Sequence, residues 1–107
     1  MASNSFYILE IAKKDLDETL DYISTVLHNP NAAKQLFEEI ERTFERIISF
    51  LESSPLVENE FLNRKDIRKA TINSFVIYYL YEETTRTITI LRFVYGKRDL
   101  NQLLKNI

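Results

Sequence analysis

Apolar positions along this chain recur with two periods, that of a helix and that of a strand. Residues 6–11 (FYILEI) form a short apolar run with β-formers and predict a strand. In the next segment, KKDLDETLDYISTVLH, Leu16, Leu20, Ile23 and Leu27 share one face of an α-helix. Asp15, Asp17, Glu18 and Asp21 occupy its early turns, where carboxylates suit the helix dipole. Asn29-Pro30 then signals a second helix, with Asn29 as cap and Pro30 at the first helical position. Its stripe is continuous: Ala33, Leu36, Phe37, Ile40, Phe44, Ile47, Ile48 and Leu51, opposite a face of Glu and Arg. Ser53-Ser54-Pro55 should end it, because the residue before proline is pushed out of helical backbone. The two helices form an antiparallel hairpin that needs a further apolar surface to cover.

The second half supplies that surface. After a loop (PLVENEFLNRKD), residues 67–72, 75–82 and 86–95 are rich in β-branched and aromatic side chains. Asn73-Ser74 and Glu83-Thr84-Thr85 are breaks of hairpin length, so the three strands should form an antiparallel meander. The last segment, DLNQLLKNI, has room for two helical turns, with Asp99 as cap. The expected fold is therefore α+β. An N-terminal strand and an antiparallel helix hairpin pack on a mainly antiparallel β-sheet (the three-strand meander), followed by a short C-terminal helix. The run FVIYYLY is bulky at nearly every position, so both faces of its strand should be covered. The second face meets either the C-terminal segment or a partner.

Length and composition narrow the class without changing this picture. The chain has 107 residues, enough for a single domain over 1–107, and its composition is globular. It has no cysteine, which excludes disulfides, thiolate metal sites and a thiol nucleophile and fits a cytoplasmic location. Neither a signal peptide nor an apolar run of membrane-spanning length is apparent. The net charge of −2 is unevenly spread. Residues 1–60 carry 5 Lys/Arg against 12 Asp/Glu, whereas residues 61–107 carry 9 against 4. The basic half could meet phosphate or an acidic protein, or could simply be solvated surface.

The order of elements and several local motifs resemble the RelE/ParE superfamily of bacterial toxin–antitoxin toxins. The similar stretches are AKKDLDETLDYI, AAKQLFEEIERTFERIISFLESSP, IRKATINSFVIYYLYEE and ITILRFVYGKRDLNQLL. The end of the last resembles the hydrophobic strand, then Gly, Lys/Arg, Arg, Asp, that closes many ParE-like toxins. The resemblance implies a small toxin held inactive by a cognate antitoxin. RelE-like members cut messenger RNA in the ribosome; ParE-like members inhibit DNA gyrase without nuclease chemistry.

Cutting RNA through its 2′-hydroxyl needs a proton acceptor, a proton donor and cations on the phosphate. RelE-like nucleases carry an arginine where this chain has Ser74-Phe75, and a C-terminal Tyr or His-Tyr that LNQLLKNI lacks. Arg98 matches a family arginine. If the chain is a nuclease, Arg98, Tyr95 and Glu60 are its catalytic candidates, Tyr95 as phenolic donor and Glu60 as a loop base. Loop carboxylates are more commonly just solvated. His28, the only histidine, falls between the helices, where the helix dipole accounts for it. Without cysteine or a second histidine, no metal and no cofactor are expected.

Arg68 and Arg92 sit inside apolar strands, where a charge needs a partner or a solvent-facing edge. Arg68, Lys69, Arg92, Lys97 and Arg98 are read as contacts for the target or the antitoxin. Lys97 and Arg98 follow Gly96, the only glycine in the chain, which should turn the last strand towards the final segment. The reading is a ParE-like toxin that binds a target such as DNA gyrase and is neutralised by an antitoxin. Two alternatives stand beside it: a ribosome-dependent mRNA endoribonuclease, and a decayed, non-toxic relative that only binds its partner. The hairpin also offers a homodimer surface, although core packing explains its stripes more simply.

Overall fold

The structure is a computed structural model that describes residues 5–51, 54–57 and 66–96. Over these the chain forms β1 (Ser5–Ile8), α1 (Glu10–Asp21), a π-helical turn (Tyr22–Val26), α2 (Pro30–Ser49), β2 (Arg68–Ile72), β3 (Phe75–Glu82) and β4 (Thr87–Tyr95). The first strand is shorter than expected, because the stripe of α1 begins earlier. Ala12 is fully buried one turn ahead of Leu16, and Ile11 is left exposed.

Helix α1 widens rather than stops. In the π-helical turn the Leu27 N–H donates to the Tyr22 carbonyl at 3.1 Å. His28 then reverses the chain with φ 52°, a left-handed backbone that histidine tolerates better than most residues. Asn29 caps α2, its side chain accepting from the Ala32 N–H at 3.1 Å. Ala33, Leu36, Ile40, Thr43 and Ile47 are buried along α2, whereas Phe37 and Ile48, at the margins of the stripe, stay exposed. Helix α2 ends at Ser49, before the Ser-Ser-Pro signal, and Leu51 turns back onto the core. There its carbonyl accepts the Tyr79 hydroxyl at 3.3 Å.

The sheet corrects the expected fold. It has four strands in the order β1-β4-β3-β2, and β1 runs parallel to β4, so the sheet is mixed rather than mainly antiparallel. The N-terminal strand is part of this sheet: Ser5 pairs with Thr87 and Ile8 with Ile90. With β2, β3 and β4 joined by tight turns, the free side of β4 is where the first strand docks once both helices have crossed the sheet. Among the described elements there is no C-terminal helix; the expected one, in 99–107, lies outside the described residues.

Both faces of the sheet are buried. Ile77, Tyr79, Ile88, Ile90 and Phe93 meet α1 and α2. Val76, Tyr78, Leu80, Leu91 and Val94 lie on the opposite face with Val57 and Ile67. The bulky run FVIYYLY is thus shared between two cores, and its second face is interior. Burial raises the Tyr78 pKa above its ordinary 10.0.

One polar interaction crosses the helical core. Strand β4 carries a bulge: Tyr78 pairs with Arg92 and Tyr79 with Ile90, leaving Leu91 as the extra residue. Beyond the bulge the register is regular, with Arg92 opposite Tyr78 and Phe93 opposite Ile77, and the long Arg92 side chain reaches α1. Arg92 grips Asp15 of α1 with two bonds, Nε to Oδ2 at 2.7 Å and Nη2 to Oδ1 at 2.9 Å. The Phe93 N–H donates to the same Oδ2 at 3.1 Å. Both side chains are nearly nine-tenths buried. The hydrogen bond to Asp15 raises the Arg92 pKa, outweighing the desolvation that lowers it.

Asp15→Ala should cost about 3 kcal/mol in urea unfolding, since it strands a buried guanidinium. Replacing Asp15 and Arg92 together by Leu should cost far less. About 1 kcal/mol should remain for the orphaned Phe93 N–H. Tyr78 predicts an alkaline loss. Its raised folded pKa contributes no penalty below pH 10.0, and as pH climbs beyond that the unfolded chain ionises first. Stability should therefore fall above pH 10.0, and Tyr78→Phe should remove this part of the fall in pH-dependent unfolding.

Candidate functional site

The groove that faces solvent lies beside the Asp15–Arg92 bond. Along α1, Asp15, Glu18, Thr19 and Tyr22 follow at helical spacing, next to the stripe that packs on the sheet. The π-helical turn carries this row on to Ile23 and Leu27. The opposite wall is the turn and start of β3, Ser74 and Phe75, with the end of β4, Phe93, Val94 and Tyr95. Together they enclose a volume of about 550 Å³.

Its chemistry is apolar and aromatic. Phe75 stacks on Phe93 with centroids 5.1 Å apart, and Tyr95 meets Phe75 edge-on at 6.1 Å. Tyr22 (53%), Leu27 (55%) and Tyr95 (46%) remain exposed at the rim, where a folded chain left to itself would gain by burying them. Gly96 closes the wall, its N–H donating to the Ser74 carbonyl at 2.8 Å. Gly96 lies in the turn that ends β4, as expected, without a left-handed φ. A Cβ there would lie 3.2 Å from both the Ser74 oxygen and Val76 Cγ2, so a larger residue would need a neighbour to give by a few tenths of an ångström.

The structure separates the residues singled out from sequence. Tyr95 is on the groove rim. Arg92 stands behind the groove, committed to Asp15. Arg68 lies on β2, two strands away from β4, and its Nη1 donates to the Ser54 carbonyl at 2.7 Å. Lys69 is exposed on the same strand. Glu60, Lys97 and Arg98 lie outside the described residues. His28 is exposed, and no group of metal-ligating side chains occurs among the described residues. No described helix is long and apolar enough to cross a membrane. The sequence reading missed Tyr22 and Phe75 as groove residues; the signal was a tyrosine just off the stripe of α1.

Among curated proteins no sequence matches the chain. The fold resembles the chromosomal ParDE system of P. aeruginosa with a TM-score of 0.69 and 20% identity, covering 88% of this chain and 97% of that one. It also resembles the RelBE2 toxin–antitoxin complex of Mycobacterium tuberculosis (TM-score 0.59, 16% identity, 89% and 93% covered). A third is the archaeal RelE–RelB complex of Pyrococcus horikoshii (0.54, 17%, 92% and 100%). Residues 7–100 match the family described as the ParE toxin of the type II toxin–antitoxin system parDE. That span takes in the second half of β1, both helices and the groove, and the chain belongs to the ParE toxin family.

Proposed function

We propose that this toxin acts by binding, that its target is DNA gyrase, and that a cognate antitoxin neutralises it by laying the apolar face of a helix into the groove beside α1. The observation that carries the reading is the exposed rim of Tyr22, Leu27 and Tyr95 around a floor of stacked Phe75 and Phe93. A cleft of this kind suits helix-in-groove recognition, in which a few apolar anchors supply the affinity. At the start of β3, where an RNA-cutting relative would place a cation, Phe75 serves this packing instead. The charge of Arg92 is matched by Asp15. Solved structures of similar fold include toxin–antitoxin complexes, which supports an antitoxin here. Arg68, Lys69, Lys97 and Arg98 are assigned to the target or antitoxin contact.

Expression of the chain alone should arrest growth, with gyrase supercoiling inhibited by purified protein and transcripts left intact in primer extension. Supercoiling unaffected at high protein concentration would overturn the gyrase assignment. Codon-specific cuts that vanish with Arg98→Ala would replace it by ribonuclease action. Tyr22→Ala with Leu27→Ala should leave arrest in place and weaken rescue by the antitoxin at least about tenfold, the loss of two anchors.

A further inference from the structure

The described strands leave the sheet two edges, and they differ in kind. At β2 the outer backbone is partly covered: the Lys69 N–H donates to the Pro55 carbonyl at 3.1 Å, and Leu56 bridges to Arg68. Two cations, Arg68 and Lys69, also stand on that strand, and edge charge is a common guard against unwanted pairing. The other edge is β1. Its sequence, SFYI, carries no charge and no proline, and its pairing with β4 has no bulge. Tyr7, in the middle of it, is 60% exposed, and the apolar run continues through exposed Leu9 to exposed Ile11.

The phase of this edge is fixed by β4. The Ser5 N–H donates to the Arg86 carbonyl at 2.8 Å and the Leu9 N–H to the Ile90 carbonyl at 3.1 Å, so odd-numbered residues turn their backbone groups inwards. Phe6 and Ile8 turn theirs outwards, where no backbone partner meets them among the described residues. Their side chains pack on the helical core, and that of Tyr7 stands on the opposite face. Two outward residues about a central one make the strand its own complement. Turned end to end, Phe6 of one copy falls opposite Ile8 of the other, and each such pair exchanges two hydrogen bonds. The two-fold axis then passes between the Tyr7 residues, a non-hydrogen-bonded pair in which cross-strand side chains lie closest.

We infer that β1 is a self-association surface, on which a second copy of this chain pairs antiparallel with Tyr7 against Tyr7. The product is one continuous sheet, β2-β3-β4-β1-β1-β4-β3-β2, closed by a two-fold axis and with both helical layers on one side. Its outer edges are the two β2 strands, the ones that carry charge. This is what favours a second copy over a foreign strand. A foreign strand would bond to Phe6 and Ile8 equally well, but it would present an edge of its own, whereas a second copy ends the sheet on a guarded one. No like charges meet at the junction, because residues 5–9 are uncharged in both copies. The contact is small and belongs to the weak, reversible class of interfaces. It is independent of what the toxin acts on.

The test is a concentration series of the purified full chain, from about 10 μM to about 1 mM, a span that brackets a weak dimer. Sedimentation equilibrium should show the mass rising from monomer towards dimer. In NMR hydrogen exchange the Phe6 and Ile8 amides should gain protection over the same range, while the Tyr7 amide, turned to β4, is protected throughout. Tyr7→Lys should weaken association at least about tenfold by setting two cations face to face, and Tyr7→Phe should leave it near that of the unaltered chain. An unchanged thermal midpoint for Tyr7→Lys would place its effect at the edge rather than in the fold. A monomer at every concentration overturns the proposal. So does a dimer that survives Tyr7→Lys, or one in which the Phe6 and Ile8 amides still exchange freely. Protection of those amides only when antitoxin is added would give the edge to the antitoxin and also overturns it. If Tyr7→Lys does not fold, the exchange series on the unaltered chain decides alone.

Discussion

The carboxylate of Asp15 holds three donors, and much of the molecule's arrangement follows from that. It accepts two hydrogen bonds from Arg92 and one from the Phe93 N–H, so a single side chain of α1 is tied to both side chain and backbone of β4. A buried ion pair contributes little net stability compared with an apolar pair of equal size, because both charges must leave water. What it contributes is register. An apolar helix face can slide or rotate by part of a turn at small cost, whereas a bidentate pair tolerates almost no displacement.

The groove is a consequence of that fixed register. With Asp15 pinned to β4, Thr19 and Tyr22 are carried along α1 past the end of the sheet, beyond the point where β3 and β4 can cover them. The π-helical turn then holds Ile23 and Leu27 over the same gap. Extra residues in a helical turn are a frequent mark of functional segments, and here they widen the helix where the groove needs a wall.

Local order was readable along the chain, and pairing across it was not. The stripe of α2, the cap at Asn29 and the turn at Asn73 each follow from neighbours a few residues away. The placement of β1 does not: FYILEI is equally good as a lone strand or as either edge of a sheet, and only the helix crossing decides. Arg92 illustrates the same limit. A cation inside an apolar strand called for a partner, but nothing local names a carboxylate 77 residues earlier. The α1 acids looked alike as dipole partners, and Asp15 alone is aimed inwards among them.

The parallel pairing of β1 with β4 also sets an order of events during synthesis. Ser5 finds its partner only at Thr87, so the first strand to leave the ribosome must wait for the last of the described strands. Both helices and the β2–β3 hairpin can form from neighbours in sequence, but the sheet edge beside β4 cannot close early. The Asp15–Arg92 bond waits for the same strand, and so does the groove whose far wall is β4. A nascent toxin is therefore incomplete through nearly all of its translation. The cell has that interval in which to have its neutralising partner at hand.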